Sequence, residues 1–528
     1  MSGAAADRPA AGPLATLERR APWVAAVVAL LAALVTMTSD PIGVFNDDGI
    51  YLLTARALAE GQGYVYPHLP GTPPAIHYPP MWPALLALAW KAAPAFPANI
   101  GWLKLINPLL LAVASALGVR FAREVLGLRW WVALGAVLAA TVTVPVLLLT
   151  NLLLSEPLFL LWLLPTLWVA ERMVRDGGVR MALVAASLVA GLVLVRTLGG
   201  VVLVAGLFLL ARERRWRELA AFGGLSLLLL LPWQLFVWNA TPGFPDELRG
   251  SYGPYLEWVI DGYRASGWPF FGEVLAKNLA ATWGMVGTFV SPLWSGAVRH
   301  LLAALAVLGL GAGLLALAPR GRAPVTALAL AGYLGVVIAW PFWVDRFYWV
   351  LWPLLVPVAL AGAVTLVARL RDAGHRRTAH AIVAVVVGLA AGHETYNARG
   401  LALGWESKAS AEMTLAGNRI LRHVNGDPSL QGQLLAAELA PMVALYSGLQ
   451  VLPVEILTPQ EHVRDKTPAE RAEELERIHR RYHPQVYVML LDGPYFAALQ
   501  EAHLDSVRAL VDVSPEGARV RTIKVQVP

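Results

Sequence analysis

Long apolar runs, separated by short clusters of arginine, constrain the fold of this chain more than any other feature of its sequence. Hydrophobic residues make up 57% of the 528 residues and charged residues only 15%, a balance that soluble proteins of this length do not have. A helix of about 20 apolar residues crosses a bilayer, and by that measure the sequence predicts about eleven spans between residues 22 and 394. The chain is therefore predicted to be a polytopic α-helical membrane protein.

The arginine clusters predict which side of the membrane each loop occupies. Arginine is enriched in cytoplasmic loops, and here the clusters fall between alternate apolar runs. This pattern places the N-terminus in the cytoplasm and predicts outer loops at residues 40–100 and 239–298 of a multi-pass protein in a plasma, or bacterial inner, membrane. The formal charge of +6 then reflects membrane topology and does not indicate a nucleic-acid partner. The clusters are Arg120, Arg123 and Arg129; Arg172, Arg175 and Arg180; Arg212, Arg214, Arg215 and Arg217; Arg320 and Arg322; and Arg369, Arg371, Arg376 and Arg377.

Both ends of the chain differ in composition from the apolar middle, which spans residues 21–395. Residues 1–20 are rich in alanine and proline and are predicted to be a disordered cytoplasmic segment. A signal peptide is the alternative, but the uncharged run over residues 21–39 is long enough to span and is followed by Asp40. Residues 396–528 are predicted to form a soluble α/β domain on the periplasmic or extracellular face.

That C-terminal region shows the periodicities of both helices and strands. Residues Pro468 to Tyr482 read as a helix, Gln485 to Leu491 as an apolar strand, and ARVRTIKVQV at residues 518–527 as a half-exposed strand. The region has no phosphate-binding glycine loop, so it is predicted to shape or recognise a substrate and not to catalyse.

Two adjacent carboxylates, Asp47 and Asp48, follow the first apolar run at the predicted outer boundary of the membrane. Charged side chains at the edge of a membrane are energetically costly, so their presence there indicates a function. The functional interpretation is a general base, which accepts the proton of a hydroxyl or amine while that group attacks the anomeric carbon of a sugar. The alternative is that the acids are solvated, or that Asp48 is the N-cap of the helix that follows.

The sequence HYPP at residues 77–80 precedes an apolar stretch, 81–93, that is too short to span comfortably. The two prolines predict the start of an interfacial or re-entrant helix there. His77 could hydrogen-bond a phosphate, or hold a divalent metal ion together with Asp47 and Asp48, although a lone histidine is weak evidence. The chain has no cysteine, which excludes a thiolate nucleophile, a disulfide framework and cysteine-ligated metals.

Three further charged residues lie at the predicted outer ends of spans. Glu156 begins the fourth span, where it either faces a cavity or belongs to a helix start capped by Ser155. Arg196 separates two short apolar segments and Arg346 precedes the tenth span. Arginine suits bidentate phosphate binding, whereas the alternatives are a local pair of Arg346 with Asp345 and snorkelling of Arg196 to the headgroups.

Five sequence motifs, taken together and in the order in which they follow one another along the chain, resemble those of the GT-C superfamily of membrane glycosyltransferases. The resemblance is greatest to the branch of protein O-mannosyltransferases and lipid A aminoarabinose transferases. The resemblance covers roughly residues 20–395, and the C-terminal region resembles the variable outer domain that such enzymes often carry. The motifs are the acid pair after the first span, YPPMWPALLALAW, SEPLFLLWL, VRTLGGVVL and RFYWVLWPLLVPVALAG.

The resemblance implies transfer of a hexose or pentose from a polyprenyl-phosphate carrier to a lipid, glycan or protein acceptor at the outer face of the membrane, with inversion. It maps the general base onto Asp47, the second acid onto Asp48, an acid of the same cleft onto Glu156 and a phosphate contact onto Arg346. We expect Arg196, His77 and Tyr78 to line the donor site as well. A divalent metal ion is an open expectation, and no other cofactor is expected.

The chain also departs from the patterns of that superfamily. A lysine that often precedes the two prolines is replaced by Tyr78, and the second acid is aspartate and not glutamate. There is no WWDYG-like signature, which argues against the oligosaccharyltransferase branch. A lipid-linked sugar flippase or other transporter is the alternative function, and it predicts internal repeats and charged or broken helices at the bilayer midplane. A third possible function is that of a non-catalytic membrane scaffold.

Overall fold

The computed structural model describes residues 13–290, 292–318, 322–402, 408–490, 494–502, 508–512 and 523–524. Helices dominate the chain as far as Ala402. The first nine are α1 (Pro13–Val35), α2 (Asp47–Ala59), α3 (Met81–Ala92), α4 (Ile100–Glu124), α5 (Trp130–Thr141), α6 (Val144–Asn151), α7 (Glu156–Asp176), α8 (Val179–Val195) and α9 (Gly200–Arg212). The next nine are α10 (Trp216–Ala240), α11 (Arg249–Tyr252), α12 (Tyr255–Ser266), α13 (Trp268–Val290), α14 (Gly296–Leu317), α15 (Pro324–Ala339), α16 (Asp345–Trp349), α17 (Trp352–Asp372) and α18 (Arg376–Ala402).

Among the described residues, six helices are long and apolar enough to cross a membrane: α4, α7, α10 with the turn after it, α14, α17 and α18. The pair α5 and α6, bent by 62° between them, makes a seventh if it counts as one broken span. The apolar helices α8, α9 and α15 are shorter. The multi-pass architecture is therefore confirmed, whereas the count of eleven spans is not.

Several predicted boundaries are corrected by the helices. Residues 13–20, expected to be disordered, form the first turns of α1, while residues 1–12 lie outside the described part. The predicted outer loop 239–298 contains the 23-residue helix α13, because its tryptophans and charges do not interrupt a helical pattern. The boundary proposed after residue 395 falls inside α18, which continues to Ala402.

The helices pack into one continuous apolar core. Helix α1 lies against α4 and α5, α7 lies between α4 and α8, and α14 lies against α17. On the outside, α10, α14 and α18 expose large apolar side chains, including Leu228, Leu315 and Val387. Water would not tolerate an apolar surface of that extent, so these faces are suited to lipid.

The C-terminal region forms a unit that contains both strands and helices. Its strands are β1 (Leu435–Ala437), β2 (Val451–Pro453), β3 (Val486–Leu490), β4 (Arg508–Asp512) and β5 (Ile523–Lys524), in the order β2-β1-β3-β4-β5. All pairs are parallel except β4 with β5. Its helices are α19 (Lys408–Gly426), α20 (Ala440–Ser447), α21 (Pro468–Tyr482) and α22 (Pro494–Glu501).

The predicted helix over Pro468–Tyr482 and the predicted strand before residue 491 are confirmed by α21 and β3. Thr467 and Glu470 form a capping box that fixes the start of α21. Of the predicted strand over residues 518–527, only Ile523–Lys524 lies in the described part, where it forms β5.

This C-terminal unit sits directly on the segment that carries the acid pair. Gly43 has φ +100°, and a Cβ there would lie 2.6 Å from the Cα of Met442 in α20, so only glycine permits this approach. The backbone N–H of Val451 donates to the carbonyl of His68 over 2.9 Å. His462 is 2.7 Å from the side-chain oxygen of Asn278 in α13. Both predicted outer loops therefore contact the unit.

Candidate active site

Two guanidinium groups and two carboxylates from distant parts of the chain form one partly buried cluster. Arg346 Nη1 donates to Asp47 Oδ2 over 2.6 Å, and its Nε donates to Glu156 Oε1. Arg196 Nη1 lies 2.8 Å from the same oxygen of Glu156. Glu156 is only 1% exposed, so its negative charge is stabilised by these two guanidinium groups and not by water.

The start of α7 places Glu156 in this cluster. Residues 152–154 are extended or irregular before the helix, and Asn107 in α4 holds them there by donating to the carbonyls of Leu152 and Leu154 over 2.6 and 3.1 Å. Ser155 is the N-cap residue, as the alternative interpretation expected, but its hydroxyl makes no capping bond. That hydroxyl instead accepts from Arg196 over 3.1 Å. The positive N-terminal end of α7 adds to the stabilisation of the carboxylate.

Arg196 reaches the cluster because two apolar helices end beside it. Helix α8 ends at Val195, Arg196 itself is extended with φ −151° and ψ 131°, and a short 3-10 turn begins at Thr197. The predicted break between two short segments at Arg196 is confirmed. The Arg196 guanidinium also lies over the ring of Phe347, 5.5 Å from its centroid, so aromatic packing fixes its orientation.

Tyr78 and Tyr51 pack against the cluster on the side of Asp47. The Tyr78 hydroxyl donates to Asp47 Oδ1 over 2.7 Å, and the two tyrosine rings are 4.6 Å apart. The hydroxyls of Tyr51 and Ser155 are 3.4 Å apart. Tyr51 is a site residue that was not predicted from the sequence. Its position four residues after Asp47 on α2 places both side chains on one helix face, and this spacing was the available signal.

Asp48 faces away from this cluster. Its carboxylate is 1% exposed and accepts from the backbone N–H groups of Gly43 and Gly49, each over 3.0 Å. Burial raises the pKa of Asp48 to about 6, and the neighbouring charge of Asp47 acts in the same direction. The alternative of Asp48 as an N-cap is wrong, since the cap position belongs to Asn46 and α2 begins at Asp47. Asp48 shapes the turn that carries Asp47.

His77 lines the same cavity without joining the ion pairs. Its Nδ1 lies 2.6 Å from the carbonyl oxygen of Gly253, and its ring packs 4.4 Å from that of Tyr255. Burial lowers the pKa of His77, which favours the neutral ring with the proton on Nδ1, where it has an acceptor. Nε2 is then an acceptor, so it suits a hydroxyl group better than a phosphate oxygen.

A cavity of about 970 Å³ opens next to the cluster. Its polar end is formed by Asp47, Tyr51, His77, Tyr78, Arg196, Ser251 and Arg346. The rest is an apolar channel between α9, α12 and α15, lined by Val201, Val204, Phe208, Leu256, Val259, Leu328, Val336 and Trp340. Leu457 of the C-terminal unit closes part of the wall. Such a cavity fits a long apolar molecule with a polar head.

The residues considered for a divalent ion do not converge. Asp47 binds Arg346 and Tyr78, Asp48 binds backbone N–H groups, and His77 binds the carbonyl of Gly253. Across the described residues, no group of three or more histidine and carboxylate side chains is arranged to hold a metal. Two guanidinium groups, those of Arg196 and Arg346, lie in the cavity lining.

The helical bundle, the charged cluster at its edge and the adjoining C-terminal unit define a membrane protein of the GT-C type of fold. The crystal structure of ArnT, a lipid A aminoarabinose transferase, from Cupriavidus metallidurans bound to undecaprenyl phosphate is similar over 97% of this chain and 98% of that chain, with a TM-score of 0.51 and 16% identity. The apo form of that ArnT has a TM-score of 0.49 and 14% identity, with 94% and 96% coverage. No protein-family model and no curated protein matches the sequence. The predicted GT-C-like fold is confirmed.

Proposed function

We propose that this protein is a glycosyltransferase that moves a hexose or pentose from a polyprenyl-phosphate carrier to an acceptor at the outer face of a bacterial inner membrane. The observation that carries this proposal is the continuity of the charged cluster with a long apolar channel. An amphipathic donor needs both, because its phosphate requires hydrogen-bond donors while its isoprenoid chain requires an apolar environment. The ArnT structure of similar fold is itself bound to undecaprenyl phosphate.

Arg346 and Arg196 are proposed to bind the donor phosphate. A guanidinium has five N–H donors, and Arg346 uses its Nε and one Nη1 hydrogen on Glu156 and Asp47, which leaves donors for a phosphate. Glu156 and Asp47 together balance the charges of the two guanidinium groups. In this arrangement the arginines keep their orientation before the donor arrives, which lowers the cost of binding.

Asp47 is proposed as the general base of an inverting displacement. A carboxylate has about four acceptor positions, and Asp47 uses two of them on Tyr78 and Arg346. The acceptor hydroxyl or amine loses its proton to Asp47 and forms a bond to the anomeric carbon from the face opposite the phosphate. The bond between that carbon and the phosphate oxygen breaks, and its electron pair leaves with the polyprenyl phosphate. Arg346 and Arg196 stabilise this charge as it develops.

The position of the charged residues favours the enzyme over the flippase. Transporters of lipid-linked substrates are expected to place charged or broken segments near the bilayer midplane. Here Glu156 is the first residue of α7 and Arg196 follows the last residue of α8, so the cluster lies at helix ends. The C-terminal unit contributes Leu457 to the cavity wall, which supports the proposal that it borders the acceptor entrance.

The test is transfer of a radiolabelled sugar from synthetic polyprenyl-phosphate donors to membrane acceptors by the full-length protein in proteoliposomes. Asp47→Asn keeps the shape of the side chain and removes the basic oxygen, so we expect transfer to fall about 10²- to 10⁴-fold. The matched control is Glu60→Gln, which changes a carboxylate just after the end of the same helix, where Glu60 pairs with exposed Arg56. The control should retain full activity.

The possible results separate the function from the assignment of the base. Loss of transfer in Asp47→Asn, with normal insertion and folding, supports both. Full activity of that variant rejects Asp47 as the base while leaving the transferase in place. If wild-type protein consumes none of the donors but translocates labelled lipid, the protein is a transporter.

A further inference from the structure

A second cavity lies at the opposite end of α7 from the candidate active site. It has a volume of about 760 Å³ and is formed by the C-terminal ends of α4, α7 and α17, the loop that follows α4, and Arg322 before α15. Helix α7 has 21 residues, which at 1.5 Å per residue makes it about 30 Å long. That length equals the hydrocarbon thickness of a bilayer, so this cavity lies at the other membrane surface.

Four arginines line the second cavity: Arg172, Arg175, Arg322 and Arg369. Arg175 pairs with Asp176 over 2.8 Å. Within the described part of the chain, the other three form no ion pair. All four are exposed, so their charge is available to a ligand that enters from the membrane surface.

Within the described part of the chain, the acidic residues of this cavity form no ion pair with those three arginines. Glu124 lies 3.6 Å from Arg120, which is outside the cavity lining. Glu171 is buried, and its Oε1 accepts from the backbone N–H of Thr326 over 2.6 Å. Asp372 is the third acid in the wall. The lining thus holds four arginines against three acidic residues, a formal excess of one positive charge.

One wall of the cavity is apolar and continues toward the lipid. Val364 is 48% exposed on α17 and adjoins Ala361 and Ala368 in the lining. Trp168 lies across the cavity, and the Arg172 guanidinium stacks over its ring at 5.7 Å. Tryptophan with arginine is typical of the headgroup layer of a membrane. A free anion would contact only the arginines, whereas the apolar wall offers contacts to a ligand that also has an apolar part.

We propose that the second cavity binds an anionic glycerophospholipid of the membrane leaflet opposite the active site. The phosphate would lie between Arg172, Arg322 and Arg369, and an acyl chain would run along Val364 on α17. Basic pockets between membrane helices bind anionic headgroups in this way. The site differs from the donor cleft in position and in every lining residue, so it does not depend on the proposed transfer reaction.

Native mass spectrometry of the full-length protein in detergent would test this proposal, with phosphatidylglycerol and phosphatidylcholine as the probes. We expect wild-type protein to retain phosphatidylglycerol selectively. The double variant Arg172→Gln/Arg369→Gln should retain it about tenfold less or weaker still. The matched control, Arg212→Gln/Arg217→Gln, removes two exposed arginines that are outside the cavity lining, and it should bind as the wild type does.

A second variant keeps the test decisive if the double variant fails to fold. Val364→Glu retains every arginine and places a carboxylate at an exposed position on the proposed path of the acyl chain, so it should also weaken retention. Equal retention of phosphatidylglycerol by wild type and the cavity variants overturns the proposal. Equal retention of phosphatidylcholine, or displacement of the lipid by millimolar inorganic phosphate alone, also overturns it, because neither fits a site for an anionic lipid.

Discussion

The two ends of α7 carry the same kinds of charged side chain in opposite surroundings. At the N-terminal end, Glu156 is 1% exposed and contacts two guanidiniums. At the C-terminal end, the side chains of Arg175 and Asp176 are 52% and 53% exposed and lie 2.8 Å apart. A buried ion pair is costly to break because the remaining charge stays desolvated, whereas water replaces most of an exposed pair. An ion pair of the same kind is therefore expected to contribute strongly to stability at the N-terminal end of α7 and very little at its C-terminal end.

Among the changes that test this comparison of the two ends of α7, the largest effect is expected from Arg346→Gln, which removes the guanidinium that joins Glu156 to Asp47. Transfer should fall about 10²- to 10³-fold, because the leaving phosphate loses a preorganised donor. Single-turnover rates in proteoliposomes would measure this loss. Arg264→Gln changes an exposed arginine on α12 that pairs with Asp261, and it serves as the control. Equal rates for the two variants would contradict the role of Arg346.

The second-largest effect is a loss of stability, which we expect for the variant Glu156→Gln. The variant leaves Arg196 and Arg346 without the carboxylate that they share, and we expect the free energy of unfolding to fall by about 3–5 kcal/mol. Equilibrium unfolding in lipid bicelles would measure it against Glu60→Gln, which removes an exposed pair at a helix end. A fall no greater than that of the control would mean that the cluster is not held together by its charges.

A smaller, pH-dependent effect is expected from Asp48, which is buried without a guanidinium in contact among the described residues. Burial raises its pKa from 3.8 to about 6, so protonation favours the folded state. That stabilisation is complete below pH 3.8 and is lost as the pH rises through about 6.

Melting temperatures of wild type and Asp48→Asn between pH 4 and 7 would check this prediction. The wild type should lose stability relative to the variant over that range, and the difference should level off above it. Asp47 and Lys104 also act on this carboxylate, but both are present in the two proteins. Parallel curves would show that Asp48 does not titrate in this range.

The smallest effect is expected from Arg175→Gln at the other end of α7. Its partner Asp176 is already hydrated, so neither the melting temperature nor the transfer rate should change measurably. The same unfolding and transfer assays apply. A loss comparable to that of Glu156→Gln would remove the contrast between the two ends of the helix.

Local patterns in the sequence predicted much of the secondary structure. The proline pair before residue 81 correctly predicted the start of α3, and the break at Arg196 correctly separated two short helices. The count of eleven spans is not confirmed, since six described helices, or seven with the bent pair, are long and apolar enough to cross a membrane. Hydropathy measures length and composition only. It does not detect the bend of 62° between α5 and α6, nor does it recognise helix α13 within a stretch rich in tryptophan and charge.

The site was predictable as a set of residues but not as an arrangement. Asp47, Glu156, Arg196, Arg346 and Tyr78 were all selected from the sequence, and the fold brings them together. Asp48 was selected with Asp47 and lies apart from them. Tyr51 was missed because a tyrosine in an amphipathic stretch has no signal of its own until the position of its neighbour is known.

The sequence by itself determined that the chain is embedded in a membrane, which charged side chains its helix ends carry, and where several helices begin and end, because hydropathy and capping act over a few residues. Only the tertiary structure decided which acid of the pair faces the cavity. Successive residues of a helix point about 100° apart, so one step along α2 separates Asp47 in the cluster from Asp48 in the turn. Only the fold, likewise, could bring Arg346 to Asp47 across 299 positions of sequence, since that contact depends on the packing of α2, α7 and α16 and on no local pattern.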